Sequence, residues 1–355
     1  MRILRFELFK NSKFMIGDNN NNNNNLKETF SSDSLFSAII NNLSLIEPNK
    51  IDEIILRFKN GTNSISSLFL GLKINDEKTN SETDIYFIPR PHLNIIGPDL
   101  LSSKRFKKIK YLSIKALKKY SKNIINNNIT LKVIEKDHVI LEDEFLLLKD
   151  EIQLISEDAF SMKELRNLDF IKTKEKPKVT VDRLFGNNDN NFYYSNELNI
   201  FANKSRYISI EPFYYALLRG ELEEYLLASL NLLVDQGIGG KRSIGFGGFV
   251  SLELLDQTDI FAENSESKYF YNLSVICPER ADMKSLLTYS LDKRSGYVYS
   301  EGGTSFKKNG IFVIKEGSIF KNEVKGQIID IAPSDFNDHP IYLNGKAFLL
   351  GLGGE

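Results

Sequence analysis

The stretch "DQGIGGKRSIGFGGFVSLELL", Asp235 to Leu255, sets six glycines around a Lys-Arg pair and then runs into apolar sequence. What flanks it decides what it can be. Upstream, "RGELEEYLLASLNLLVDQ" carries Leu222, Leu226, Leu230 and Leu233 at three- and four-residue spacing, the period of a helix. Downstream, "FVSLELL" alternates, with Val250, Leu252 and Leu254 on an apolar face and Phe249, Ser251 and Glu253 on a mixed one, which predicts a strand. Both common nucleotide loops run the other way, from a strand through glycines into a helix whose N-terminus holds the phosphate. Their spacing fails as well. A Walker A loop needs Gly where Asp235 stands and Ser or Thr where Arg242 stands, and a dinucleotide fingerprint needs Gly at Arg242.

Two readings of the loop remain. Glycines permit positive φ and close backbone approach, so with Lys241 and Arg242 the loop can carry a polymer with many phosphates. The other reading is a tightly turned connection that needs glycines for geometry alone. "GFGGFVSL" also comes close to an RNA-recognition pattern, with one extra Gly and with Leu252 in the last aromatic place.

The 355-residue chain has a formal net charge of −1, so attraction to nucleic acid must come from local patches rather than from a global field. Cys277 is the only cysteine, which excludes an internal disulfide and a cysteine-cluster zinc site and fits a reducing compartment. No leader pattern and no apolar run long enough to span a bilayer is present, so a cytoplasmic protein without membrane contact is expected. The clusters "LEDEF" and "ELEEY" lack the spacing of a Ca²⁺ loop, and neither a metal nor a cofactor is expected.

Outward from the loop, "RILRFELF" alternates as a strand, the asparagine run after Asp18 reads as a disordered insert, and Ser32 or Asp33 can cap a helix with Leu35, Phe36, Ile39, Ile40 and Leu43 on its apolar face. "ISSLFLGLKI" and "DIYFIPRPH" read as extended. Ser102 to Lys122 holds nine Lys or Arg and no acid, interleaved with Phe106, Ile109, Tyr111 and Leu112. That mixture suits RNA, and it equally suits an ordinary solvated helix face. Residues 178–201 read as a hairpin around a Gly/Asn turn whose polarity favours protrusion, so that an exposed aromatic can wedge between nucleotides. Beyond a polar stretch at 257–268, a second pattern begins: strand "YFYNLSVIC", short helix "ADMKSLLTYSL", then further strands.

The segments "SDSLFSAI" (Ser32 to Ile39), "VTVDR" (Val179 to Arg183), "GIGGKRSIGFGGF" (Gly237 to Phe249) and "HPIYLNGKAFLL" (His339 to Leu350) stand in the order seen in the fourth Csm subunit of type III-A CRISPR effector complexes. The chain resembles that family, part of the repeat-associated (RAMP) superfamily, over nearly its full length. The resemblance implies an α+β fold of two modified ferredoxin-like (RRM-like) domains, residues 1–258 and 268–355, with a protruding β-hairpin thumb at about 178–201 and the glycine-rich loop at 237–249. It implies a non-catalytic subunit that binds the 5′ repeat-derived tag of the crRNA and links the large polymerase-like Csm subunit to the Csm backbone subunit. By the same resemblance, Gly237, Gly239, Gly240, Lys241, Arg242, Ser243, Gly245 and Gly247 lie along the RNA, with Ser32, Asp33 and Ser34 at the helix start, Arg90, and Arg183 and Phe185 of the thumb beside it. The asparagine run has no role in the family, and Ser31 stands where many relatives have His.

The alternative within the superfamily is a metal-independent endoribonuclease that cuts CRISPR repeat RNA. Such enzymes commonly use His as general acid or base, because its pKa lies near working pH. Only His92, His138 and His339 are available, and none lies in the first helix region. A structural module that touches no RNA is the third reading.

Overall fold

The computed structural model describes residues 1–17, 26–97, 104–122, 124–125, 130–133, 137–155, 158–179, 192–256, 261, 267–298 and 306–353. The asparagine run, Arg183 and Phe185 lie outside the described residues. The fold is mixed α+β, mostly sheet with few helices, as the sequence predicts.

The first half is built on strands β1 (Arg2–Glu7), β2 (Asn11–Phe14), β3 (Phe69–Asp76), β4 (Ser81–Pro89), β5 (Tyr111–Ser113), β6 (His138–Leu141), β7 (Phe145–Leu148), β8 (Ile171–Val179), β9 (Phe192–Phe201), β10 (Ile208–Arg219) and β11 (Ser251–Asp256). Its main helices are α1 (Ser32–Ile46), α2 (Ile51–Asn60), α3 (Ile114–Ser121) and α4 (Glu224–Gln236). The large sheet runs in the order β6-β7-β5-β4-β3-β10-β1-β11, with two short strands completing ten. Alternation sorts each strand between two cores. Leu4, Phe6, Tyr214, Ala216 and Leu218 face α1 and α4, whereas Ile3, Phe213, Tyr215 and Leu217 face α3 and the second half of the chain.

The second half contains β12 (Tyr269–Asn272), β13 (Leu286–Thr288), β14 (Leu291–Arg294), β15 (Ile311–Ile314), β16 (Ile319–Phe320), β17 (Gly326–Asp330), β18 (Tyr342–Lys346) and β19 (Leu349–Leu352). Its four-stranded sheet runs β13-β16-β12-β19, and β14–β15 and β17–β18 are separate hairpins. The expected helix over "ADMKSLLTYSL" does not form. A 3₁₀ turn at Asp282–Ser285 takes its place and Leu286–Thr288 becomes a strand. The reason is tertiary. Pairing of Leu286 with Phe320, together with the Asp282 carboxylate accepting from the backbone N–H groups of Glu279 (2.9 Å) and Gly326 (3.1 Å), outweighs helix propensity.

The two halves share a core and a set of buried polar links. Tyr271, Leu273, Phe348 and Leu350 pack with Ile3, Phe213 and Leu217. Across the junction the Ser67 N–H donates to the Leu273 carbonyl at 2.9 Å, and the Ser67 hydroxyl donates to the Glu316 carboxylate. The Arg294 guanidinium lies 2.9 Å from the Asp33 carboxylate and 3.0 Å from that of Asp292, which also receives Lys27 at 2.7 Å.

One polar contact holds the start of β8. Glu142 and Asp143 close the β6–β7 hairpin with φ of 51° and 56°, and Glu142 Oε1 accepts from the N–H groups of Phe170 (3.1 Å) and Ile171 (3.3 Å) at the root of β8. Burial, opposed by those N–H groups and aided by Glu144 and Asp169, pushes this carboxyl up to about 7. A group whose folded pKa exceeds its unfolded one gives its full contribution at low pH and loses it as pH rises through the folded value.

Among the described residues no helix is long and apolar enough to cross a membrane, and no group of three or more His, Cys, Asp or Glu is placed to hold a metal ion.

Two measurements test this account. Arg294→Met leaves Asp33 buried without its partner, and because the two side chains are only 8% and 9% exposed, urea unfolding should show a loss of about 3–5 kcal/mol. The stability advantage of wild type over Glu142→Gln should shrink between pH 5.5 and pH 8, on the order of 1 kcal/mol once partial exposure is allowed for.

Candidate nucleic-acid interface

The glycine loop leaves α4 at Gly237, whose N–H donates to the Leu233 carbonyl at 2.8 Å. It then folds onto itself and onto the end of β2. Ile238 N–H donates to Gly247 O (3.0 Å), Gly240 N–H to Met15 O (2.8 Å) and Gly247 N–H to Lys13 O (2.7 Å). A Cβ on Gly247 would stand 2.0 Å from the Ile238 carbonyl, and one on Gly239 would stand 2.7 Å from that of Met15, both at positive φ. The amides of Gly237, Gly240 and Gly247 are therefore committed to shaping the loop. The tip is different. Arg242, Ser243, Ile244 and Gly245 are exposed, and a Cβ on Gly245 would meet open space.

Lys241, itself in the left-handed region at φ 60°, reaches from the tip onto a separate three-stranded sheet, β8-β9-β2, where its ammonium donates to the Ser195 hydroxyl. Register puts Lys172, Lys174, Lys176 and Lys178 of β8 on one face opposite Asn199, Glu197, Ser195 and Tyr193 of β9, with Lys13 of β2 opposite Asn199 on its other side. Lys176 meets Glu197 at 2.7 Å and Lys172 meets Asp169 at 3.1 Å. Burial and the neighbouring charges of Lys178 and Lys176 hold the Lys241 ammonium below its ordinary pKa, with Glu197 opposing. Such a concentration of like charge is relieved when an anion arrives.

This lysine row is a candidate feature that sequence reasoning missed. Its signal is the period-two run "IKTKEKPKV", Ile171 to Val179, just upstream of the hairpin. The hairpin strands begin earlier than expected, at Ile171, and carry Phe192, Tyr193 and Tyr194 at 55%, 50% and 52% exposure. Protruding aromatics, rather than buried ones, are what the described strands show.

The other expected site residues have different surroundings. Ser31, not Ser32 or Asp33, is the N-cap of α1 and makes no side-chain cap bond, although its hydroxyl donates to that of Ser34 at 3.2 Å. Ser32 is 1% exposed and its hydroxyl accepts from the Val275 N–H at 2.9 Å, while Asp33 is paired with Arg294. Both belong to the junction between halves. The Arg90 guanidinium is half-buried and donates to the carbonyls of Phe106 (2.7 Å), Lys107 (3.3 Å) and Leu93 (3.4 Å).

The basic segment at 102–122 resolves, within its described part, into a turn, a strand and a helix. Phe106, Ile109, Tyr111 and Leu112 are buried, so they are core and not stacking platforms. Lys108, Lys110 and Lys119 pair with Asp143, with Glu28 and Glu144, and with Asp137 respectively. The three histidines do not meet. His92 Nε2 lies 3.0 Å from the Glu316 carbonyl and burial lowers its pKa, His138 packs on Phe106, and His339 stacks edge-on with Phe336.

The glycine-loop tip, the lysine face of β8 and the exposed aromatics of β9 are joined by the Lys241 to Ser195 contact and form one candidate surface. The family model for the CRISPR Csm4 C-terminal domain matches residues 265–352. The protein named "CRISPR system Cms protein Csm4" from Methanocaldococcus jannaschii is 31% identical over 96% of this chain and 94% of its own length. One of the same name from Streptococcus thermophilus is 30% identical over 37% of this chain and 45% of its own. A chain in the crystal structure of a Csm3-Csm4 subcomplex in the type III-A CRISPR-Cas interference complex superposes over 99% of both chains, with TM-score 0.65 and 25% identity. A chain in a Csm1-Csm4 cassette in complex with pppApA shares the fold over 99% of this chain and 98% of its own, with TM-score 0.56 and 18% identity. These are proteins of CRISPR systems, and the chain in the first structure is part of a type III-A interference complex. The chain belongs to the Csm4 family of type III CRISPR proteins.

The loop's division into packed glycines and an open tip gives a direct test. Gly247→Ala should lower the melting temperature sharply, because the backbone must move to admit the Cβ. Gly245→Ala should cost only about 1 kcal/mol of left-handed strain.

Proposed function

We propose that the protein is a non-catalytic subunit of a type III-A complex that binds the 5′ repeat-derived tag of the crRNA and joins the large polymerase-like subunit, Csm1, to the backbone subunit, Csm3. The observation that carries the RNA-binding reading is the concentration of Lys13, Lys172, Lys174, Lys176, Lys178 and Lys241 on one face beside exposed aromatics. Cations hold the phosphates, and Tyr193, opposite Lys178 on the same face, offers an unstacked base a ring. Arg242 and Ser243 at the exposed loop tip extend the track, and by the family resemblance Arg183 and Phe185 are assigned to the same RNA. The partners follow from the family and from the Csm3-Csm4 and Csm1-Csm4 assemblies that the similar chains occupy. The setting is the cytoplasm.

The reading extends to architecture. We take residues 1–258 and 268–355 as two modified ferredoxin-like domains. In the first, β1, α1, β3, β10, α4 and β11 follow one another as strand-helix-strand-strand-helix-strand. In space the strands run second-third-first-fourth, and β12, β13, β16 and β19 repeat that order in the second half. There the first helix is reduced to a 3₁₀ turn and the second is replaced by the β17–β18 hairpin.

Binding of tagged guide RNA by the full chain, with and without Csm1, decides the matter. Lys241→Ala with Arg242→Ala should weaken binding and flatten its salt dependence by about 0.7 in log–log slope for each lost phosphate contact. Lys176→Ala with Lys178→Ala should do the same. Unchanged slopes would move the RNA elsewhere, and cut RNA would make the protein a nuclease.

A further inference from the structure

A groove of about 1310 Å³ lies between the two halves of the chain. It is larger than the roughly 300–1,000 Å³ typical of small-molecule sites, which suits part of a polymer better than a free metabolite. Backbone contacts tie its wall to the proposed RNA track. Met15 O accepts from Gly240 N–H, Gly17 bridges to Leu26, and Lys27 N–H donates to Ile16 O at 2.9 Å, so the loop that lines the groove from Leu26 to Ser31 is tied to the strand end under the glycine loop.

The walls are of two kinds. Pro89, Pro91, Leu93, Ile96 and Leu287 give apolar plates, and Arg90 gives a fixed cation for which the described residues provide no carboxylate partner. Two polar atoms of the lining are buried without a hydrogen-bond partner, Glu28 Oε2 and Thr288 Oγ1. Buried polar groups are rarely left unsatisfied, and when they are, a missing ligand is one explanation. Glu28 is held in place for such a ligand. Its backbone carbonyl accepts from the Tyr214 hydroxyl at 2.7 Å, and its carboxylate accepts from Lys110 at 3.3 Å through Oε1 and also holds the Tyr111 hydroxyl, while Oε2 is buried with no donor at full hydrogen-bond distance.

A bare anion would face Glu28, Asp292 and Glu316, while the cations Lys27, Lys110 and Arg294 of the same lining already hold carboxylate partners. A purely apolar group would leave both atoms unpaired. A flat heterocycle between apolar plates, with an N–H donor for a carboxylate and a phosphate near a cation, satisfies every wall. Resting on the RNA-binding function proposed above, we infer that the groove takes an unstacked base of the bound strand whose exocyclic amino group donates to Glu28 Oε2, with Thr288 completing the contact. Glu28 is then a specificity-determining residue, since a carboxylate accepts from an amino group as it does from cytosine N4.

The test replaces, one at a time, each amino-bearing base of the tag by its analogue lacking that group: purine riboside for adenosine, inosine for guanosine and the 4-deamino analogue for cytidine. Affinity is measured for the full chain with Csm1. One replacement should weaken wild type about tenfold, and should leave Glu28→Ala, already weakened, unchanged. Thr288→Val, close to isosteric, should show a partial loss at the same position, and melting curves show that each variant is folded. If no replacement matters to wild type, or the one that matters penalises Glu28→Ala equally, the base subsite is wrong while RNA binding stands. Failure of wild type to bind tagged RNA at all overturns both.

Discussion

Everything around the proposed RNA surface depends on a buried charge pair, Asp33 with Arg294. The first turn of α1 is held from the second half of the chain by that pair and by the Val275 amide on the Ser32 hydroxyl. Ionic groups removed from water need close partners, and here Asp292 and Lys27 extend the pair into a row. The row fixes three things together: the start of α1, the loop that lines the groove, and the inner face of the β14–β15 hairpin. Apolar packing alone would bring the halves into contact without fixing how they slide, because packing tolerates shifts that directional polar contacts do not.

The proposed binding surface is assembled differently from its support. Packed glycines shape the root of the loop, while the charges stand on strands paired residue by residue. Rows of lysine at every second position on β8 are held by the ladder with β9, so their spacing is set by the pleat and not by a flexible loop. Lys241 joins them by crossing from the loop to Ser195. A near-neutral chain can thus present a strongly basic face, as the rest of its surface balances the count.

How far sequence reasoning reached follows from the range of each interaction. Local signals held. Leu35, Phe36, Ile39 and Leu43 gave α1, the leucines of 226–233 gave α4, and the glycines gave a turn between helix and strand. Non-local ones were hidden. Nothing in "SDSL" reveals that Ser32 and Asp33 face Val275 and Arg294, and the second half's expected helix lost to a strand pairing that only the folded chain supplies. The edge position of β11 was equally invisible, which is why Val250 and Leu254, expected on a buried face, are exposed. The lysine row lay in plain view as an alternating pattern, but strand alternation was being read for apolar residues only.

The large sheet also bears on how the chain is made. Strand β1, at residues 2–7, lies in the interior of that sheet, and its two neighbours, β10 and β11, come from residues 208–219 and 251–256. A ribosome that releases about 5–20 residues per second needs tens of seconds to supply both. Through that interval the segment "RILRFE", whose Ile3, Leu4 and Phe6 are destined for the core, waits without either flank. Early synthesis of this protein is therefore a period of dependence on whatever shields such segments in the cell, and closure of the sheet comes late.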